Sequence, residues 1–380
     1  MVLKKYVLVM VPLICFACKT MPDVNTSKAD EKLQGTALEI NERQHTEDII
    51  ALADKEAYKG NYIKALELLN TALNLDKTNV QAYNDRGVIY IALKKYAEAF
   101  DDFSKVISFD SENIKAFYYR GMANYSTGNM EKAINDCTKA ISFIKKTEKG
   151  KLHQYFLGVH HCRGMAYHYL EKYQQAIDDL SIVIETAEAK GELRYDYFNN
   201  RGDIYLEKGE YEKAEADYST SIKLNSNNGR TFFNRAAVRN MLKKYDDAVE
   251  DFGKAIQLGY DLKNSYHDRA VIFSIKKEYT RAVEDYTKAL QLDNNFIGAY
   301  RGRGSVFFLI GEYEKAIEDF GRIIKLAPED VNAYNGRGVS FYNIGKYKEA
   351  LKDFDISIKL DPTNEFIQQL QIDAYKKIGE

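Results

Sequence analysis

The sequence predicts an all-α fold in which short pairs of helices stack side by side. A period of 34 residues runs through the chain, most clearly where alanine returns at Ala214, Ala248, Ala282, Ala316 and Ala350. A fixed period of this length is typical of a solenoid. Within one period, apolar residues follow helical spacing twice. A glycine such as Gly345 separates the two predicted helices.

The last full period, residues 331–364, shows the pattern most clearly. When its residues are numbered 1 to 34, Tyr334 is position 4, Gly338 is position 8, Ala350 is position 20 and Phe354 is position 24. These positions, together with Pro362 at position 32, resemble the tetratricopeptide repeat (TPR). The resemblance implies a right-handed superhelical TPR solenoid of about nine helix-turn-helix repeats, which stack because one pair cannot bury its own apolar stripe.

Nine repeats and one further helix follow from this register. The repeats cover residues 46–364 and begin at Thr46, Val80, Ile114, Leu157, Tyr195, Gly229, Lys263, Ile297 and Val331. Residues 365–380 are predicted to form a capping helix on the last pair. Nine extra residues stand around 145–154 and four around 187–194. Such insertions often mark a binding face, and a tolerated surface insertion is the alternative.

The N-terminus differs from the repeats. In residues 1–18, Lys4 and Lys5 precede an apolar run too short to span a bilayer, which is the layout of a secretory signal. The run ends Cys-Phe-Ala-Cys and resembles a bacterial lipoprotein signal, which implies cleavage before Cys18 and lipid attachment to its thiol. Residues 19–45 are polar and are predicted to be a tether. We expect an exported protein, lipid-anchored in a bacterial cell envelope, with a periplasmic or secreted protein as the alternative.

Composition and motifs argue against several classes of function. The 54 basic and 56 acidic residues leave a net charge of −2, which does not favour nucleic acid as a partner. Four histidines in the middle of the chain lack the i,i+3 or i,i+4 spacing of a helical metal site: His153, His160, His161 and His168. Cys137 at position 24 and Cys162 at position 6 show no disulfide pattern. We predict no catalytic residue, cofactor or metal; an enzyme with a site near residues 145–203 is the alternative.

Two charged positions recur inside the predicted core. From the second repeat onward, position 7 is always arginine and position 23 is always aspartate. Both positions share the buried stripes of their helices, and in the first repeat both become leucine together, as Leu52 and Leu68. We interpret each pair as a bidentate ion pair within its repeat, and a basic ladder for an anionic ligand is the alternative.

The TPR resemblance also implies where a ligand binds. In that family, positions 2, 5, 6, 9, 12 and 13 of the first helices line the inner, concave surface. The residues carried over are Tyr118, Tyr119, Met122, Tyr125, His161, Met165, His168, Asn199, Asn200, Asp203, Arg230, Phe233, Asn234, His267, Asp268 and Arg301. Aromatic side chains interleaved with amides suit an extended peptide or protein segment.

The sequence therefore predicts a non-catalytic scaffold for protein–protein interaction, with protein or peptide partners and membrane attachment through a lipid. An accessory factor in envelope assembly or polysaccharide export is the alternative role in the same class. The fold alone does not select between these roles.

Overall fold

The computed structural model describes residues 37–379, and in these residues nineteen α-helices and no β-strand are present. This confirms the predicted all-α class. The helices form two compact regions: an N-terminal region that ends at Leu193 and a C-terminal region that begins at Arg194. The predicted signal sequence, Cys18 and most of the tether lie outside the described residues.

The N-terminal region consists of four helical pairs. Its helices are α1 (Ala37–Tyr58), α2 (Tyr62–Leu75), α3 (Val80–Ala92), α4 (Tyr96–Phe109), α5 (Ile114–Ser126), α6 (Met130–Lys146), α7 (Phe156–Tyr169) and α8 (Tyr173–Lys190). A short 3-10 helix, Gly150–Leu152, lies between α6 and α7. Both insertions lengthen second helices, since α6 has 17 residues and α8 has 18, against 14 in α4.

The C-terminal region consists of five pairs and a final helix. Its helices are α9 (Tyr195–Lys208), α10 (Tyr211–Leu224), α11 (Gly229–Met241), α12 (Tyr245–Gln257), α13 (Leu262–Ile275), α14 (Tyr279–Leu292), α15 (Ile297–Leu309), α16 (Tyr313–Leu326), α17 (Val331–Asn343), α18 (Tyr347–Leu360) and α19 (Glu365–Ile378). In both regions the odd-numbered helices from α1 to α17 are the first helices of their repeats. Helix α19 packs on α18 through the buried Ile367, which lies in one cluster with Phe354.

The turn inside each pair needs a left-handed backbone at position 15. Gly345 adopts φ 75° there, as the predicted glycine break requires. Lys94 and Lys243 occupy the same position with φ 58° and 59°. The geometry of the hairpin therefore overrides the preference of an L residue for negative φ.

Close helix crossing explains the glycine at position 8. A Cβ atom added to Gly338 would lie 2.8 Å from the ring of Phe354, and one added to Gly87 would lie 2.7 Å from Phe103. Both rings occupy position 24 of the same repeat. In these two repeats a residue larger than glycine would force the ring at position 24 to move, so glycine is accommodated despite the roughly 1 kcal/mol it costs inside a helix. Three other repeats have alanine at position 8: Ala53, Ala236 and Ala270.

The Arg–Asp interpretation is confirmed. In all eight repeats that carry the pair, Nε and Nη2 of the arginine donate to the two carboxylate oxygens of the aspartate, as in Arg269–Asp285 at 2.6 and 3.0 Å. The other pairs are Arg86–Asp102, Arg120–Asp136, Arg163–Asp179, Arg201–Asp217, Arg235–Asp251, Arg303–Asp319 and Arg337–Asp353. These arginines are structural groups of the core.

Several arginines also reach the preceding repeat. Nη1 of Arg303 donates to Thr287 at 2.9 Å, and Nη1 of Arg235 donates to Ser219 at 3.0 Å. Both acceptors occupy position 25 of the repeat before. Each such arginine therefore joins the two helices of its own repeat and connects that repeat to its neighbour.

Candidate functional site

The first helices form a continuous face in each region. Within the N-terminal region, α1 contacts α3, α3 contacts α5, and α5 contacts α7. Within the C-terminal region, each odd-numbered helix from α9 to α17 contacts the next. We call these surfaces the N-terminal and C-terminal first-helix faces. All sixteen predicted ligand-binding residues lie on these first helices.

On the N-terminal first-helix face, most predicted residues are buried. The buried side chains are Tyr118, Tyr119, Met122, His161, Met165 and His168. Only Tyr125 among the seven is half-buried. Tyr119 is 6% exposed, so a ligand could contact it extensively only after another group had moved.

The first insertion supplies a group that covers this face. Tyr155, which follows the 3-10 helix, has its ring centroid 5.4 Å from that of Tyr118 and 6.0 Å from that of Tyr119. Tyr119 also stacks on Phe103 at 5.6 Å. Tyr118, Tyr119 and Tyr155, called the tyrosine cluster below, form one packed aromatic group. The insertion therefore returns to the surface on which the ligand was expected and covers part of it.

Beside the tyrosine cluster lies a small group of charged residues. Nζ of Lys115 contacts Oδ1 of Asp85 at 2.8 Å. Burial lowers the pKa of Lys115, but the charge and hydrogen bond of Asp85 together with Tyr155 and Asp54 outweigh burial, and the pKa lies above its ordinary value. Burial raises the pKa of Asp54 to about 6, and the nearby Asp85 adds to this rise while Lys115 opposes it. Asp54 is thus a carboxylate that charges only near neutral pH.

The C-terminal first-helix face is more accessible. Its predicted residues are half-buried, with the exception of Asn199, which is buried and accepts a hydrogen bond from Thr231 at 3.0 Å. The half-buried residues are Asn200, Asp203, Arg230, Phe233, Asn234, His267, Asp268 and Arg301. These side chains lie near the surface, and their polar atoms are already organised.

Asp203 is the centre of one such arrangement. Its Oδ1 accepts hydrogen bonds from Tyr218 Oη at 2.7 Å and from Asn234 Nδ2 at 2.9 Å. Its Oδ2 forms an ion pair with Arg230, and the Asp203 carboxylate raises the pKa of Arg230 above its ordinary value. The network fixes Arg230 and Asn234 across two repeats before any ligand arrives.

Two further charged groups on this face are paired in the same way. Nδ1 of His267 lies 2.8 Å from Oδ1 of Asp268, and the imidazole packs 4.9 Å from the ring of Phe296. Nη2 of Arg301 donates to Oδ2 of Asp330 at 2.6 Å, and this bond holds the pKa of Asp330 below its usual range. The charges of Arg230 and Arg301 are therefore neutralised from within the protein, and Asp268 lies beside the imidazole of His267.

Sequence reasoning missed a row of exposed apolar side chains on this face. Met241, Ile275 and Leu309 occupy position 13 of three successive repeats and are 58%, 50% and 63% exposed. We call them the apolar row. The signal was available, since three residues spaced by 34 at an inner position are all large and apolar. Contiguous exposed apolar side chains mark interaction sites on soluble proteins.

Three of the four histidines in the middle of the chain, His160, His161 and His168, are buried in the core, and His153 is half-buried in the insertion. Nδ1 of His160 lies 2.7 Å from Oδ1 of Asp179, the aspartate that also pairs with Arg163. Among the described residues, no group of three or more His, Cys, Asp or Glu side chains is arranged to hold a metal ion. Over the same residues, no helix combines the length and apolarity needed to cross a bilayer.

Stacked helical hairpins with an accessible first-helix face define a helical-repeat scaffold. Four family models identify the repeats. Three are described as Tetratricopeptide repeat: the first matches residues 195–228 and 331–364, the second matches 50–114, and the third matches 114–147 and 264–296. The fourth is described as TPR repeat and matches 304–345. The helical pairs are therefore tetratricopeptide repeats. Such repeats are typically non-catalytic scaffolds that bind protein or peptide partners.

Two solved structures resemble the chain, and the first of them supports the fold. The C-terminal part of a TPR repeat-containing protein from Cytophaga hutchinsonii is 21% identical, covers 67% of this chain and 98% of its own, and has a TM-score of 0.52. A tetratricopeptide repeat protein from Parabacteroides merdae is 22% identical, covers 70% of this chain and 99% of its own, and has a TM-score of 0.47. No curated protein matches the chain significantly. At these identities, the likeness shows the fold alone.

Proposed function

We propose that this chain is a non-catalytic scaffold of the bacterial cell envelope that binds extended protein or peptide segments on its C-terminal first-helix face. The observation that carries the proposal is the apolar row. Its three side chains keep half or more of their surface exposed, and burying them against a partner would contribute about 25 cal/mol per Å² of apolar area.

The spacing of the row suggests the conformation of the partner. Helix α11 contacts α13, and α13 contacts α15. Packed helices lie roughly 8–10 Å apart. A polyproline II segment rises about 3.1 Å per residue, so every third side chain returns to the same side after about 9 Å. A segment with apolar residues at every third position would therefore place one side chain at each member of the row.

The paired charges suggest what accompanies those apolar residues. Arg230, Arg301 and His267 each have an acidic partner within the protein. The face thus offers oriented hydrogen-bonding groups with little net charge, which favours a polar, nearly neutral segment over a strongly acidic or basic one. Amide groups such as Asn200 and Asn234 are suited to backbone hydrogen bonds with such a segment.

A peptide titration tests the binding mode. The probe is a fluorescein-labelled, proline-rich peptide with leucine at every third position, and the comparison peptide has the same composition with its leucines adjacent. We expect the first to bind more tightly, and the triple variant Met241→Ser/Ile275→Ser/Leu309→Ser to lose roughly tenfold or more in affinity. Ile356→Ser, an exposed apolar residue on the second helix α18, is the matched control and should bind as the wild type does.

Equal binding of the two peptides, or an equal loss in the Ile356→Ser control, would contradict the proposed binding mode. Wild-type affinity in the triple variant would contradict the role of the row itself.

Attachment to the envelope is the second part of the proposal, and it is supported by the sequence pattern that ends at Cys18. Metabolic labelling with a fatty acid should mark the wild-type chain and leave Cys18→Ser unlabelled. A labelled Cys18→Ser chain, or an unlabelled wild type in a cell with an active lipoprotein pathway, would remove the anchor from the proposal and leave a periplasmic or secreted scaffold.

A further inference from the structure

Two cysteines meet in the core of the N-terminal region. Cys137 lies in α6 of the third repeat and Cys162 lies in α7 of the fourth. Both are free thiols, they are 0% and 2% exposed, and they belong to the same apolar cluster. They are separated in sequence by the first insertion, so neither spacing nor a motif links them.

The register of the repeats explains why they meet. In three other pairs of neighbouring repeats, position 24 of one repeat lies against position 6 of the next. Phe103 stacks on Tyr119 at 5.6 Å. A Cβ atom added to Gly302 would lie 2.3 Å from the ring of Tyr286, and one added to Gly336 would lie 2.6 Å from Phe320. Cys137 is position 24 of the third repeat, and Cys162 is position 6 of the fourth. The two thiols therefore occupy the two positions that touch in the other pairs of repeats.

We propose that Cys137 and Cys162 form a disulfide that fastens the third repeat to the fourth across the first insertion. The oxidant is a small-molecule disulfide. One cysteine thiolate attacks it, forms a mixed disulfide and releases one thiol. The second cysteine then attacks the mixed disulfide and releases the other thiol. Two protein thiols are oxidised, the oxidant is reduced to two thiols, and the two cysteine protons pass to the released sulfurs.

The folded environment determines when this reaction occurs. A hydrogen bond with Cys162, together with burial, raises the pKa of the Cys137 thiol well above its ordinary value. Little thiolate is therefore present in the folded state, and the buried sulfurs are closed to an oxidant. The bond forms as the chain folds, or during opening of these repeats. Once formed, it is equally protected from reductants.

The crosslink closes a loop that contains the whole first insertion, including Tyr155. Closing a loop of this size removes conformational freedom from the unfolded chain. In the folded protein it holds α6 to α7, the helices on either side of the insertion, beside Tyr118 of the tyrosine cluster. The inference goes beyond the proposed scaffold function, and its test does not depend on where the protein resides.

The experiment uses the full chain with Cys15→Ser and Cys18→Ser, so that only the two core thiols remain. The protein is unfolded, refolded with oxidised and reduced glutathione, and then unfolded again in an alkylating agent. We expect a mass lower by two hydrogen atoms, no alkylation, and a proteolytic fragment that joins the two cysteine peptides. The melting temperature should exceed that of the same protein refolded under reductant by about 5 °C.

The same oxidant added to the already folded protein should act far more slowly than during refolding. In Cys137→Ala and Cys162→Ala, reductant should leave the melting temperature unchanged. Full alkylation of both cysteines after oxidative refolding, with native helix content regained, would overturn the proposal. A glutathione adduct on either cysteine in place of the joined peptides would overturn it as well.

Discussion

The N-terminal and C-terminal first-helix faces are made from the same repeat in the same register, yet they present different surfaces. In the N-terminal region, Tyr118 and Tyr119 fill positions 5 and 6, and Tyr155 from the insertion packs against them. In the C-terminal region, smaller polar residues such as Asn234 stand at the corresponding positions and remain half-buried. Exposed apolar residues stand at position 13 of three successive repeats in the C-terminal region, whereas in the N-terminal region Tyr58 and Tyr169 hold this position only in the first and fourth repeats.

The comparison shows that register alone does not make a binding surface. A position on the first helix is available to a partner only if no segment of the chain itself covers it. The nine additional residues after the third repeat are sufficient to cover such a position. The proposed partner binding is therefore placed on the C-terminal first-helix face, and the N-terminal residues of the predicted site stay a prediction that requires Tyr155 to move.

The largest expected effect concerns the Arg–Asp ion pair, which occurs in both regions. Arg269→Met removes one partner of a pair in which Asp285 is 3% exposed. The stranded carboxylate should destabilise the protein by about 3–5 kcal/mol. Arg269→Met/Asp285→Leu, which imitates Leu52 and Leu68 of the first repeat, should recover most of this loss. Urea unfolding followed by circular dichroism measures both, and equal stability of the single and double variants would contradict a paired structural role.

The next effect separates the two regions. Tyr155→Ala should destabilise the N-terminal region by about 2 kcal/mol, because a half-buried ring leaves the tyrosine cluster. It should also increase the nitration of Tyr119 by tetranitromethane, since that ring loses its cover. Tyr58→Ala is the control: Tyr58 is 76% exposed and should change stability by less than about 0.5 kcal/mol. Unchanged nitration of Tyr119 would show that the insertion does not cover the face in solution.

A pH effect tests the charged group beside that cluster. The pKa of Asp54 is raised from 3.8 to about 6 by burial, then by Asp85, against the opposing Lys115. The folded state therefore binds this proton more tightly than the unfolded chain, and stability should fall as the pH rises from about 4 through about 6. Asp54 is partly exposed, so solvent screening reduces the effect to about 1 kcal/mol.

Asp54→Asn should be more stable than the wild type by that amount at pH 7 and should match it below about pH 4. Thermal unfolding across this range measures the difference. Parallel curves for the two proteins would mean that Asp54 does not titrate in this range.

The smallest effect concerns the apolar row. Leu309→Ser should change the stability by less than about 0.5 kcal/mol, because the side chain is 63% exposed and contributes little to the core. A loss of 2 kcal/mol or more in thermal unfolding would assign Leu309 to the scaffold and remove it from the binding surface.

The helical pairs and their internal ion pairs were predictable because local rules determine them. The spacing of Tyr334, Gly338 and Phe354 places these residues on facing stripes, and the joint replacement by Leu52 and Leu68 identified position 7 and position 23 as partners. Such inferences need only the period of a helix and the repetition of a unit.

Accessibility could not be predicted in the same way. Whether Tyr119 is open or covered depends on the path of an insertion that has no repeat to be compared with, and the contact of Cys137 with Cys162 depends on the packing of one hairpin on the next. The sequence by itself determined the helical hairpin, its period and its internal pairs. Only the tertiary structure decided which inner positions face solvent and which distant side chains touch, because both follow from packing between repeats.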